Sequence, residues 1–239
     1  TIYGKGGVEI TGGGIASLIG SNNYRGGTRV SDGSTLIVDF QENLGQAGVG
    51  GISMTNDSAL VLTNTFSLSR PVTIEDSTQT INTSGENTVT TISTVVSGGG
   101  LLRKAGAGRL NLVDPSNSYS GGTRIDEGTL GVLADTNLGL STSSLALGGG
   151  TLLVGDGFTT ARAVTLDTGG GTIEADGAHA SFNGTISGVG ALSKSGSGEL
   201  ALGALNLTHE PLPAPLPASA LRRLHACQRR HAETAGVAK

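Results

Sequence analysis

Residues 97–132 read SGGGLLRKAGAGRLNLVDPSNSYSGGTRIDEGTLGV, and this stretch decides the architecture because both of its halves occur again elsewhere in the chain. The first half, residues 97–112, returns at 187–202 as SGVGALSKSGSGELAL with Gly, Leu, Lys, Gly, Gly, Leu and Leu at the same spacing. The second half, NSYSGGTRIDEGTL at 117–130, is matched by NNYRGGTRVSDGSTL at 22–36 with one inserted residue. Tyr119, Gly121, Gly122, Thr123, Arg124 and Gly128 thus correspond to Tyr24, Gly26, Gly27, Thr28, Arg29 and Gly33. Within these units apolar and polar residues alternate, as in Leu110-Asn111-Leu112 and Thr123-Arg124-Ile125, which is the period of a strand with one buried face. Each run is short and stops at glycine. Gly106, Gly108, Gly121, Gly122 and Gly128 are expected to take the positive φ angles that let the chain turn without a clash at Cβ.

Short strands, sharp turns and self-similarity together predict a solenoid, in which each strand pairs with its equivalent one coil away at about 4.8 Å. Coils of roughly 20–25 residues would wind residues 1–208 into about eight to ten turns, a rod on the order of 40–50 Å long. Composition agrees with this. Glycine supplies 41 of 239 residues, tryptophan is absent and aromatics make up 3%, so a core built on aromatic anchors is excluded and one of stacked Leu, Val and Ile is required. Helices should be scarce.

The arrangement resembles the β-helix repeat associated with the passengers of bacterial autotransporters, fully over residues 97–132 and by halves at 22–38 and 187–202. The resemblance implies an all-β, right-handed parallel β-helix. It further implies a surface-displayed or secreted stalk or adhesin segment of a Gram-negative bacterium. Its partner would be an outer-membrane β-barrel translocator of the same parent chain, with host or cell-surface ligands as further partners.

Chemistry-bearing patterns are few. No phosphate-cradling glycine motif is present. A single histidine, His179, lies in the first 208 residues, without a Gly-x-Ser-x-Gly box, and reads as a turn or surface residue. Asp156, Asp167, Glu174 and Asp176 are the carboxylates that could serve glycoside cleavage in a secreted polysaccharide lyase or hydrolase, the alternative function; their Gly and Thr neighbours favour solvated turns. Lys104 and Lys194 hold equivalent places and are expected to point outward from a strand. Tyr24 and Tyr119 are expected to pack over glycine turns. No catalytic, cofactor-binding or metal-binding residue is assigned, and no cofactor is expected.

Composition breaks near residue 208. Residues 1–208 carry ten basic and seventeen acidic side chains, which argues against a nucleic-acid partner; residues 209–239 carry five and two, with four of six prolines and the lone cysteine, Cys227. A disulfide framework is therefore impossible. The division predicts a β-helix over 1–208 and a Pro/Arg-rich tail over 209–239, disordered, short-helical or translated out of frame, since the Tyr-x-Gly-Gly-Thr box that should follow Leu205-Asn206 never arrives. With no apolar run of membrane length and no leader ahead of Thr1, the chain reads as a fragment.

Overall fold

The computed structural model describes residues 1–205, and the tail expected over 209–239 lies outside the described residues. Within them the chain is a parallel β-solenoid of about ten turns. All its strand pairings are parallel and none joins neighbours through a hairpin; they run from each strand to its equivalent one coil on. On the first face Val8 pairs with Thr28, Thr28 with Ile52, Ile52 with Val72 and Val72 with Val96, so successive coils advance 20, 24, 20 and 24 residues. A second face is followed from Ile15–Leu18 to His179–Gly188 and a third from Phe66–Leu68 to Leu192–Ser195.

The alternation read from the sequence is what sorts side chains across the wall. Leu110 and Leu112 are fully buried while Asn111 between them is only partly so, and Thr123 and Ile125 are buried on either side of Arg124. Neighbouring coils stack like on like: Leu110 lies beside Leu130 and Leu130 beside Leu152, building one continuous apolar column down the interior. Burial of each such Leu, Ile or Val is worth about 1.5–3 kcal/mol. No coil could realise that gain alone, because its core residues pack against those of the coils above and below.

Two features depart from the expectation. Among the five glycines expected at positive φ, Gly106, Gly122 and Gly128 adopt it, whereas Gly108 and Gly121 do not. Those two are needed for proximity instead: a Cβ on Gly121 would lie 2.3 Å from the carbonyl carbon of Gly100, and one on Gly108 2.5 Å from the carbonyl oxygen of Gly85. The second departure concerns phase. Thr28–Val30 belongs to the first face, but its repeat counterpart Thr123–Ile125 belongs to the second; likewise Thr35–Val38 lies on the second and Thr129–Val132 on the third. The 95 positions from Asn22 to Asn117 overshoot four coils by one face, so the sequence repeat and the structural coil are not commensurate.

Candidate functional site

The most elaborate polar network among the described residues is internal, and it is built twice. In the first copy the Tyr24 ring is buried against Gly45, whose added Cβ would meet the Tyr24 carbonyl oxygen at 2.5 Å and the ring at 2.9 Å. The Tyr24 hydroxyl shares a hydrogen bond with Thr28 Oγ1 at 2.6 Å. Tyr119 repeats this over Gly139, with its hydroxyl 2.8 Å from Thr123 Oγ1. Burial pushes both phenols up, against the smaller opposing effect of the threonine hydrogen bonds. The expectation that these tyrosines pack over glycine turns is met.

Each of those glycines ends a short 3₁₀ turn, Gln41–Leu44 or Asp135–Leu138. A buried asparagine organises each turn. Asn43 Oδ1 accepts from the backbone N–H groups of Asp39 and Phe40, both at 2.9 Å, while its Nδ2 donates to the Gly20 carbonyl of the preceding coil. Asn137 does the same with Leu133, Ala134 and Asp114. Asn22 and Asn117 then donate to the carbonyls of Asn43 and Asn137, each at 2.8 Å.

A buried arginine closes each assembly from the following coil. Arg70 donates to the carbonyls of Gly45, Gln46 and Val49 at 2.6–2.8 Å. Arg162 donates to those of Gly139 and Leu140 and pairs through Nε with Asp135 at 2.7 Å. The guanidinium suits this task because its planar fork satisfies several carbonyls that a turn leaves unpaired. Burial pulls the Arg70 pKa below its usual value.

Lys104 corrects the sequence reading. It does not point outward: it is fully buried, and its Nζ donates to the carbonyls of Ala105 at 2.8 Å, Gly106 at 2.7 Å and Glu127 at 3.1 Å. The physical reason is that Gly106 and its neighbours turn their carbonyls inward, and an ammonium with three donors satisfies them where an apolar residue could not. Burial lowers its pKa from 10.5 to about 8, opposed by the nearby Glu127. Lys194 makes the same two local bonds, to Ser195 and Gly196 at 3.2 and 2.7 Å, yet is exposed.

On the outer faces the charged groups pair along the axis. Arg103 and Arg124 both bond Asp126, and Arg124 reaches on to Asp167, a ladder spanning several coils. Asp32 accepts from Thr11 and Asn56, which holds its carboxyl below the usual range. The four sequence-nominated carboxylates are not drawn into one cleft. Asp156 receives the backbone N–H of His179 at 2.9 Å, which lowers its pKa, and lies 3.4 Å from the His179 ring; both are exposed. Asp167 is in the arginine ladder, Asp176 accepts from Ser197, and Glu174 lies on the strand Gly171–Glu174. The first face carries an open groove of about 490 Å³ hollowed by Gly7, Gly27 and Gly51, and its charged lining, Glu9 and Arg29, is paired at 3.4 Å.

Sequence reasoning missed Arg70, Arg162, Asn43 and Asn137. A signal was present: Arg70-Pro71-Val72-Thr73-Ile74 parallels Arg162-Ala163-Val164-Thr165-Leu166, and Asn43-Leu44-Gly45 parallels Asn137-Leu138-Gly139.

With stacked coils and duplicated clamps in place, comparison with known proteins has a definite form to meet. The passenger-associated-transport-repeat family matches at residues 9–38 and 102–132, the two segments that hold the Tyr-x-Gly-Gly-Thr boxes. The chain belongs to the autotransporter passenger class, with repeats of this kind. It is 36% identical, over 178 residues and 72% of its length, to the adhesin BmaC autotransporter of Brucella suis biovar 1 (strain 1330). The chain spans 5% of the length of that curated relative. No solved structure matches it.

Proposed function

We propose that the chain is a non-enzymatic stalk or adhesive segment, displayed outside a Gram-negative cell after export through a C-terminal β-barrel of its parent chain. The observation that carries this reading is where the ionisable groups go. Arg70, Lys104 and Arg162 are committed to backbone carbonyls inside the coils, and Arg103, Arg124, Asp126 and Asp167 to one another on the surface. General acid–base cleavage of a polysaccharide needs carboxyl groups facing each other across a substrate groove. Here Asp156, Asp167 and Asp176 serve turns and ladders instead. The name of the Brucella relative, an adhesin, supports a role in attachment.

The test is to fuse the chain ahead of an outer-membrane translocator barrel and express it in a non-adherent Gram-negative host. Surface labelling by external antibody and a gain in attachment to mammalian cells, without release of reducing ends from a panel of polysaccharides, is the expected result. Retention in the periplasm, or polysaccharide cleavage abolished by Asp156→Asn, would overturn the proposal.

A further inference from the structure

On the third face one rung carries a notch whose lining is unlike the wall around it. Pairing from coil to coil sets two outward columns there, one of Val89, Arg109, Thr129, Thr151 and Thr172, the other of Thr91, Asn111, Gly131, Leu153 and Glu174. Gly131 is the one position in these columns without a side chain. It lies inside the strand Thr129–Val132 and its φ is not positive, so neither a turn nor the backbone angle calls for glycine. Space does: an added Cβ would overlap Asn111 Oδ1 and stand 3.1 and 3.2 Å from Arg109 Nε and Nη2. The Arg109 guanidinium therefore lies across the bare backbone of Gly131, which is buried beneath it.

The charge held there is unspent. Arg29, Arg103 and Arg124 pair with carboxylates, and Arg70, Lys104 and Arg162 serve backbone carbonyls. Arg109 does neither. Its Nε donates to Asn111 Oδ1 at 2.6 Å, Asn111 Nδ2 donates on to Thr91 Oγ1 at 3.2 Å, and among the described residues nothing accepts from Arg109 Nη1 or Nη2. The planar group is thus anchored along one edge and open along the other. Nor does the repeat require this arrangement, because Glu199 and Ala201 stand where Arg109 and Asn111 stand, and Ile37 and Asp39 where Gly131 and Leu133 stand. Beyond the guanidinium the notch turns apolar: Leu133 is 63% exposed although its backbone N–H is fixed to Asn137 Oδ1 at 3.0 Å, and Leu153 and Val113 are half-buried beside it. Arg109 is the one charged residue of the lining.

We propose that this notch binds an acidic peptide in which an aspartate or glutamate lies next to a large apolar residue. The carboxylate takes the open edge of Arg109 through Nη1 and Nη2, the paired geometry that a guanidinium offers and an ammonium does not. The apolar side chain fills the space over Gly131 against Leu133 and Leu153. The notch measures about 270 Å³, below the roughly 300–1,000 Å³ of a pocket that engulfs a small molecule, and suits one or two side chains. Its wall is aliphatic and offers no aromatic ring on which a sugar would stack. Recognition runs through side chains alone, since Arg109–Leu112 and Thr129–Val132 are each paired on both sides and leave no sheet edge to which a peptide strand could add. This assignment deepens the adhesive reading, on which it rests for a partner on another cell.

The test titrates the full chain, with isotope-labelled leucine and valine methyl groups followed by NMR, with the blocked peptide acetyl-Leu-Glu-Leu-amide. Shifts confined to the methyls of Leu133, Leu153 and Val113 are expected, and Arg109→Gln should raise Kd about fivefold or more. Gly131→Ala should weaken binding as much while leaving the unfolding midpoint unchanged or raised, because its Cβ meets only the movable ends of Asn111 and Arg109. Equal binding of acetyl-Leu-Gln-Leu-amide, or an affinity indifferent to both substitutions, would overturn the proposal. Sodium glucuronate moving the same methyls as strongly would overturn it in favour of an acidic sugar. Absence of shifts up to about 10 mM peptide would leave no contact of useful strength and would end it. Because the purified chain is titrated, a failed export or attachment assay does not alter this result, and a failed titration leaves surface display untouched.

Discussion

Replacing Gly139 by alanine separates two costs that a solenoid of this kind usually imposes together. Gly139 has φ +73° and ψ −155°, a region that only glycine enters readily, and its Cβ would stand 2.3 Å from the Tyr119 carbonyl oxygen and 3.0 Å from the ring. The dihedral alone costs about 1–3 kcal/mol. The overlap is with backbone of the adjoining coil, not with a pliable side-chain tip, so relief requires the coils to separate; overpacking of this type adds about 1–3 kcal/mol. The sum is about 2–6 kcal/mol. Gly157 provides the control, because it has φ +72° but nothing within 4 Å of its added Cβ, and Gly157→Ala should therefore lose only the dihedral part. Both variants can be followed by guanidinium unfolding monitored by circular dichroism. A loss for Gly139→Ala that exceeds the Gly157→Ala loss by 1–3 kcal/mol is expected. Equal losses would show that the tyrosine–glycine stack carries no steric constraint and would refute the clamp as described.

Further outcomes follow from the buried polar groups. Because the Lys104 pKa is depressed in the folded chain, the unfolded chain binds the proton more tightly between pH about 8 and 10.5; stability should rise across that window by on the order of 1–3 kcal/mol, and Lys104→Met should abolish the rise in unfolding curves taken at pH 7.5 and 10. Arg162→Ala leaves several turn carbonyls and Asp135 without their donor and should destabilise by about 3–5 kcal/mol in the same assay. Tyr119→Phe removes only the hydroxyl bond to Thr123, so a loss of about 1 kcal/mol is expected, with urea midpoints as the readout.

The fold was legible because it depends on local rules applied repeatedly. Period-two alternation at Leu110–Leu112 and glycines at the corners dictate short strands and turns, and their recurrence at 22–36 and 187–202 dictates stacking. What could not be read was direction at the exceptions. Lys104 carries an outward-type side chain at an inward position, and nothing in Arg103-Lys104-Ala105 tells which of two adjacent cations the carbonyls of the next turn will draw inside. Arg70 and Arg162 posed a related difficulty, since each satisfies carbonyls about 20–25 residues earlier in sequence, a relation that exists only after the coils are stacked. The phase slip between repeat and coil was likewise invisible. Counting residues between tyrosine boxes gives a distance along the chain, whereas the face on which a box lands depends on corner lengths such as the 3₁₀ turns.

Stacked coils place residues remote in sequence side by side along one axis. Arg103, Arg124, Ala146, Thr165 and Ser187 are successive partners on the second face, so 84 positions of sequence separate Arg103 from Ser187 across four coil steps. Spin labels at Arg103→Cys and Ser187→Cys, in a Cys227→Ser background, measure this directly by pulsed electron resonance. The stacked coils predict a narrow distribution centred on a backbone separation of about 19 Å. A broad distribution, or a centre beyond about 35 Å, would contradict the stacking itself.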